Sequence, residues 1–200
     1  MAMPQFTGKY ASIRKDIYKG TVGAKFVQGG TNYAGGKTYK TEQGFRKAMV
    51  GVFDGYMKKI DAIEKASLPA RATLVISPGG RGMYGTQWSA ELRYEDINGH
   101  TRYVEGERTT GTGYDKISSA SASAFNKSPE FLKLLMDARA KKKTMPYGAY
   151  LSIGEPWLPN WEGGVGIGSH VRILEAMGYE VSDVPSGKAY IYVITLKKKR

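Results

Sequence analysis

Residues 87–105 read Gln87-Trp-Ser-Ala-Glu-Leu-Arg-Tyr-Glu-Asp-Ile-Asn98-Gly99-His-Thr-Arg-Tyr-Val-Glu105. Trp88, Ala90, Leu92 and Tyr94 alternate with Gln87, Ser89, Glu91 and Arg93, the pattern of a strand with one face buried and one in water. Asn98-Gly99 is a strong hairpin signal, because both residues tolerate the positive φ of a type I′ turn. With those two as the turn, Tyr94 faces Tyr103 and Glu95 faces Arg102 across the ladder, and both pairs are favourable.

The elements on either side extend this hairpin into a sheet with helices. Residues 72–77 form a short buried strand ended by Pro78-Gly79-Gly80, and a Gly-rich loop carrying Arg81 follows. Before it, Phe45, Met49, Val52, Phe53, Tyr56, Ile60 and Ile63 recur at helical spacing over 42–66, with Thr41 as N-cap and Pro69 beyond the end. After the hairpin, Gly111 and Gly113 lead into a stretch of Ser and Ala at 118–124, which predicts a helix packed closely on the sheet. Ser128-Pro129 opens a second helix through Phe131, Leu134, Leu135 and Ala138. A strand at 148–153 precedes a long loop. Ile167, Val171, Leu174 and Met177 mark a last helix closed by Gly178, and residues 181–184 and 189–196 make a closing hairpin about a turn at 185–187.

The expected class is therefore α+β: a mainly antiparallel sheet with three or four helices packed on it, preceded by a basic Gly/Tyr-rich N-terminal arm. The arm is residues 1–40, and 41–200 form a single α+β domain divisible into 41–143 and 144–200.

Charge carries the functional expectation. The 200 residues hold 30 Lys+Arg against 18 Asp+Glu, a net charge of +12, and the isoelectric point is about 9.7, values at which a phosphate-rich partner is a sensible expectation. Residues 1–40 contain seven basic side chains and one acid, Asp16. Further clusters are Arg139 with Lys141, Lys142 and Lys143, and residues 197–200. The chain has no cysteine, which excludes disulfides, thiolate zinc sites and cysteine nucleophiles. No apolar run is long enough to span a bilayer, and residues 1–9 lack the apolar stretch of a secretory signal, so a cytoplasmic protein without a membrane partner is expected.

The expected partner is nucleic acid, DNA or RNA, bound through phosphate contacts with little base specificity. The contact residues expected are Lys9, Arg14, Lys15 and Lys19 in the arm, Arg81 in the loop, Gly111, Gly113, Tyr114 and Lys116 at a helix start, and Lys141, Lys142 and Lys143. Tyr10, Tyr18, Tyr33 or Trp157 would stack on bases. Two Gly-rich segments, 111–113 and 163–168, each precede a helix N-terminus, where free N–H groups favour an anion. Neither is a P-loop, because Gly-Lys-Ser/Thr is absent, and the glycine spacing at 164–168 is not the dinucleotide fingerprint.

The order helix, three strands, Gly-x-Gly turn, helix over 42–125, with Gly111-Thr-Gly113-Tyr-Asp-Lys116, resembles a double-stranded-RNA-binding domain. The resemblance implies phosphate contacts for Gly111, Gly113 and Lys116, but the adjacent lysines usual in that family are replaced by Ile117 and serines. The stretch 110–118 and the later Gly163-Gly-Val-Gly-Ile-Gly-Ser-His-Val-Arg also resemble small uncharacterised bacteriophage and mobile-element proteins, which implies phage nucleic-acid handling or interference with host defence.

Other classes have weaker support. No Ser-His-Asp order or paired-histidine metal motif is present, and no cofactor or resident metal is expected. A metal-dependent nuclease would need Glu91, Glu105 and Glu107 to converge, with His170 as a further catalytic candidate; the interleaved Arg93, Arg102 and Arg108 point instead to surface ion pairs. A winged helix would use the helices near 115–125, 129–140 and 167–177 with residues 185–187 as the wing tip. A protein-interaction module, such as an inhibitor of host defence or a particle component, would use Trp157 and Trp161 as anchors.

Overall fold

The computed structural model describes residues 3–29, 31–32, 37–141, 149–151 and 158–196. Tyr33, Lys142, Lys143, Trp157 and residues 197–200 lie outside the described residues. In chain order the elements are α1 (Ala11–Gly20), β1 (Thr31–Asn32), β2 (Lys37–Thr38), α2 (Glu42–Lys65), β3 (Arg71–Gly82), β4 (Gly85–Glu95), β5 (Thr101–Glu105), β6 (Thr109–Thr110), α3 (Tyr114–Asn126), α4 (Pro129–Ala140), β7 (Ala149–Leu151), β8 (Pro159–Trp161), α5 (Ile167–Ala176), β9 (Tyr179–Ser186) and β10 (Ala189–Leu196). The fold is α+β. Its main sheet is antiparallel throughout, in the order β5-β4-β3-β10-β9, with β6 continuing alongside β4.

Alternation decides the faces of the sheet. Ala72, Leu74 and Ile76 of β3 and Ala90, Leu92 and Tyr94 of β4 point to one face and are buried, where α3, α4 and α5 supply Ala120, Phe125, Phe131, Leu134, Ile173 and Leu174. The Tyr94 hydroxyl donates to Glu130 Oε2 at 2.6 Å, tying the hairpin to the first turn of α4.

The central hairpin is present with a register one residue from the expected one. Asp96 is the cause. Its Oδ1 accepts the backbone N–H groups of Asn98 at 2.8 Å and His100 at 3.0 Å, and its Oδ2 accepts Arg102 Nε at 2.9 Å. The carboxylate thus stabilises a loop of Ile97, Asn98 and Gly99, with Gly99 at φ +78°, closed by the Asp96 N–H to the His100 carbonyl at 2.9 Å. A three-residue loop of this kind shifts the ladder, so Tyr94 faces Arg102 and Arg93 faces Tyr103. Tyr103 therefore lies on the open face, with the Arg93 guanidinium 5.6 Å from its ring centroid. Strand β3 runs past Pro78-Gly79-Gly80, which forms an irregularity between Pro78 and Arg81 in place of a loop.

A second core lies apart from the sheet. Tyr10, Ile13 and Ile17 pack against Phe45, Met49, Tyr56, Ile60 and Ile63 of α2 and Met136 of α4. Residues 11–20 are therefore a helix and not an extended arm, because Ile13 and Ile17 stand four apart on one face and find an apolar partner in α2. Helix α4 joins the cores: Phe131, Leu134 and Leu135 face the sheet, while Met136 faces α1 and α2. The expected helix, three strands and helix are present, with the two-residue β6 added between β5 and α3, and with α2 in the second core and α3 on the sheet. Hairpin β9–β10 joins the sheet through β10 and β3, so its turn is a corner of the sheet and not a free wing.

The small residues of α3 permit backbone contact. A Cβ added at Gly106 would lie 2.6 Å from the Ala120 carbonyl oxygen and 3.1 Å from the Ala124 nitrogen, and neither backbone atom can rotate away. Gly106→Ala is expected to cost about 1–3 kcal/mol, whereas Gly80→Ala, where no atom stands within 4 Å of the new carbon, should stay within roughly 0.5 kcal/mol of the parent. Urea unfolding of both variants checks this.

Candidate nucleic-acid interface

The β3–β4 hairpin extends beyond the sheet, and its tip carries Met83 and Tyr84, 86% and 80% exposed. Two contacts hold it to the start of α3. The Gly111 N–H donates to the Thr86 carbonyl at 3.0 Å, and Gln87 and Trp88 pair with Thr110 and Thr109 of β6. The backbones meet closely enough that a Cβ at Gly85 would be 3.0 Å from the Gly111 carbonyl carbon. Arg81, exposed on the hairpin, is thereby brought to the same end of the molecule as Tyr114, 72% exposed, and Lys116.

At that helix start the expected anion site carries its own anion. Asp115 lies in the first turn of α3 and pairs with Lys116 Nζ at 3.2 Å, while the stem of Lys116 lies over Gly111, where a Cβ would be 2.8 Å from its Cγ. A carboxylate in the first turn already interacts with the helix dipole. The remaining features for a ligand are therefore side chains, namely Arg81, Lys116, Tyr84 and Tyr114. The sequence reading missed Met83 and Tyr84. The available signal was Gly82-Met-Tyr-Gly85, two large side chains between glycines, which on a surface turn can only point outward.

The other expected contacts are distributed differently. Arg14 lies between α1 and α2, pairing with Asp61 at 2.9 Å and Glu64 at 2.7 Å. Lys9 pairs with Asp137 at 2.8 Å, and Arg139 pairs with Asp16 at 3.2 Å. Tyr10 is fully buried, and its hydroxyl donates to Asp137; burial, with this carboxylate beside it, pushes the phenol above its ordinary range. Tyr18 is buried against Phe6 and Phe53. Neither tyrosine can stack on a base. Lys15, Lys19 and Lys141 are exposed, and the structure does not bring Lys15 or Lys19 to the hairpin tip, since α1 belongs to the second core.

The second Gly-rich segment has its polar groups engaged. The Gly163 carbonyl accepts Ser118 Oγ and, at 3.1 Å, Ser119 Oγ, and the Gly166 N–H donates to Ser118 Oγ at 3.3 Å. Ser169 Oγ donates to the Val165 carbonyl at 3.0 Å. His170 is 1% exposed and stands edge-on to Phe125 and Trp161. Its Nε2 is 2.7 Å from the Glu162 carbonyl and must carry the proton, so Nδ1 accepts from Ser121 Oγ at 3.0 Å. Both nitrogens are satisfied inside the core, which removes His170 as a catalytic candidate. Trp161, at 1% exposure, is a core residue and not an interface anchor.

The three acidic candidates do not form one cluster among the described residues. Glu91 and Glu105 are cross-strand neighbours on the open face, and Glu91 is bonded to Arg93. Glu107 follows β5, its N–H donating to Ser123 Oγ at 2.7 Å. Among the described residues no three His, Asp or Glu side chains gather where they could hold a metal ion, and no helix is long and apolar enough to cross a membrane.

Burial lowers the His170 pKa to about 4, and the hydrogen bond to the Glu162 carbonyl opposes the shift only in part. The unfolded chain, with an ordinary imidazole near 6.5, takes up the proton first on acidification, so this contribution is full above that value and is lost as the pH falls towards 4. Wild-type protein should lose about 2 kcal/mol from this source between pH 7 and pH 5. His170→Gln, less stable at pH 7, should lack that increment when urea midpoints are compared at the two values. No protein-family model matches the chain, and neither a curated protein nor a solved structure matches it.

Proposed function

We propose that this protein binds nucleic acid with little base specificity, and that the strand is gripped where the β3–β4 hairpin meets the start of α3. The observation that carries the reading is the pair of exposed rings, Tyr84 and Tyr114, on elements bonded to each other, with Arg81 and Lys116 beside them, in a chain of net charge +12. Rings stack on unpaired bases while cations meet the phosphates, and a surface of this kind favours single strands over duplexes. Lys15 and Lys19 on α1 and Lys141 after α4 are further exposed cations, apart from the hairpin tip. A setting in phage nucleic-acid handling in the host cytoplasm is part of this proposal, and the resemblance of the glycine-rich segments to phage and mobile-element proteins is what supports it.

A protein partner is the second reading. Met83 favours it, since a thioether side chain 86% exposed beside Tyr84 is an apolar contact that phosphate recognition does not need.

Binding of labelled single strands and of duplex RNA and DNA at two salt concentrations, with magnesium present and strand integrity checked on a gel, separates the readings. Salt-sensitive binding that prefers single strands is expected. Arg81→Gln with Lys116→Gln should flatten the salt dependence by about two counterions. Tyr84→Ser with Tyr114→Ser should weaken binding by roughly thirtyfold or more at any salt, from about 1–3 kcal/mol for each of the two stacked bases. Binding that neither pair of changes alters would reject this interface, cleavage of the strands would revive the nuclease, and absence of binding at low salt would make a protein partner the leading reading.

A further inference from the structure

Where the two cores meet, α2, the start of α4 and β8 enclose a groove of about 460 Å³. This is within the usual range for small-molecule sites, which favour such junctions. Ile63, Leu132 and Pro159 supply apolar wall, and no acid stands among the described lining residues. Lys59 and Lys127 line the same groove and are exposed. Among the described residues neither is paired with a carboxylate. Lys59 lies 5.7 Å from the Tyr56 ring centroid, which holds its ammonium on the groove side of α2.

Asn160 also lines the groove. Its Oδ1 is buried and has no hydrogen-bond partner among the described residues, although buried polar atoms ordinarily find one. Its neighbour Asn126 shows the contrast: its Oδ1 accepts the Trp161 N–H at 2.7 Å and its Nδ2 donates to the Trp161 carbonyl at 2.9 Å. Asn126 is part of the framework, whereas the Asn160 amide has an unused acceptor that must turn towards the groove to meet a ligand.

The geometry points to a binding site for a small organic anion, with an apolar body between α2 and β8, an anionic group at Lys59 and Lys127, and an N–H or O–H donor reaching Asn160 Oδ1. The lysines decide the charge of the occupant, since two cations beside an apolar wall, with no acid among the described lining residues, favour an anion over a neutral or cationic ligand. This site is independent of the hairpin tip and does not rest on the nucleic-acid reading.

The probe is 8-anilinonaphthalene-1-sulfonate, which combines an aromatic body, a sulfonate and an anilino N–H. Saturable fluorescence enhancement at one site per chain is expected. Lys59→Gln with Lys127→Gln should weaken it roughly tenfold and reduce its salt sensitivity. Asn160→Leu should weaken it roughly threefold to tenfold, from the lost hydrogen bond. Ala62→Phe, at an exposed position on α2 that lines the groove, should abolish it, with near-ultraviolet circular dichroism confirming the fold. The site is overturned if the dye does not saturate or if the lysine and asparagine variants stay within twofold of wild type. It is also overturned if folded Ala62→Phe binds as before, or if sedimentation shows a dimer that Ala62→Phe dissociates, since the groove would then seat a second copy of the chain.

Discussion

The approach of backbone to the surface of helix α3 is the contact on which most of the architecture depends. Gly106 passes close to Ala120 and Ala124, and Gly163 passes so near Ser119 that a Cβ there would lie 2.9 Å from the Ser119 Cα. Such contacts require both partners to be small. They also leave polar backbone groups to satisfy, and the serines of α3 do this: Ser118 and Ser119 bond the Gly163 carbonyl, Ser121 bonds His170, and Ser123 accepts the Glu107 N–H. The helix therefore binds the end of β5, the loop before α5 and α5 itself through short side chains. Larger residues on this face would separate the sheet from α5.

The distribution of charge follows from the second core. Packing α1 on α2 brings Lys9, Arg14 and Arg139 to Asp137, Asp61, Glu64 and Asp16. Two of the seven N-terminal cations, Lys9 and Arg14, are thus matched by acids from α4 and α2, distant in sequence. The net charge is unchanged, but the positive groups next to exposed aromatics are on the hairpin and at the start of α3. The bonding of β4 to β6 and of Gly111 to Thr86 fixes the hairpin against the segment that leads into α3, and such preorganisation lowers the ordering cost of binding.

Glycine has two roles at that end of the molecule. At Gly85 it lets that backbone touch Gly111, and this contact holds the turn carrying Tyr84 close to the segment that leads into Tyr114. At the start of α5 the glycines bring the chain against α3, and the N–H of Gly166 is used internally. Two sequence segments of similar composition thus have opposite consequences: one lies beside exposed side chains, and the other is a packing joint.

By itself the sequence determined the elements with strong periodicity. Helix α2 with its Thr41 cap, whose Oγ1 accepts the Gly44 N–H at 3.1 Å, the paired strands around Asn98-Gly99, the small-residue helix and the closing hairpin were all legible, because hydrophobic spacing and turn chemistry are local. Only the tertiary structure decided the remainder. The ladder register depended on Asp96 reaching Arg102, and α1 depended on α2 to bury Ile13 and Ile17. The roles of Arg14, Tyr10, Trp161 and His170 depended on which groups met them after folding. Charge and aromaticity suggest a binding surface, but a cation matched by an acid from another element, or a ring enclosed in a core, has no free contact left. That matching is set by long-range packing, which no local pattern encodes.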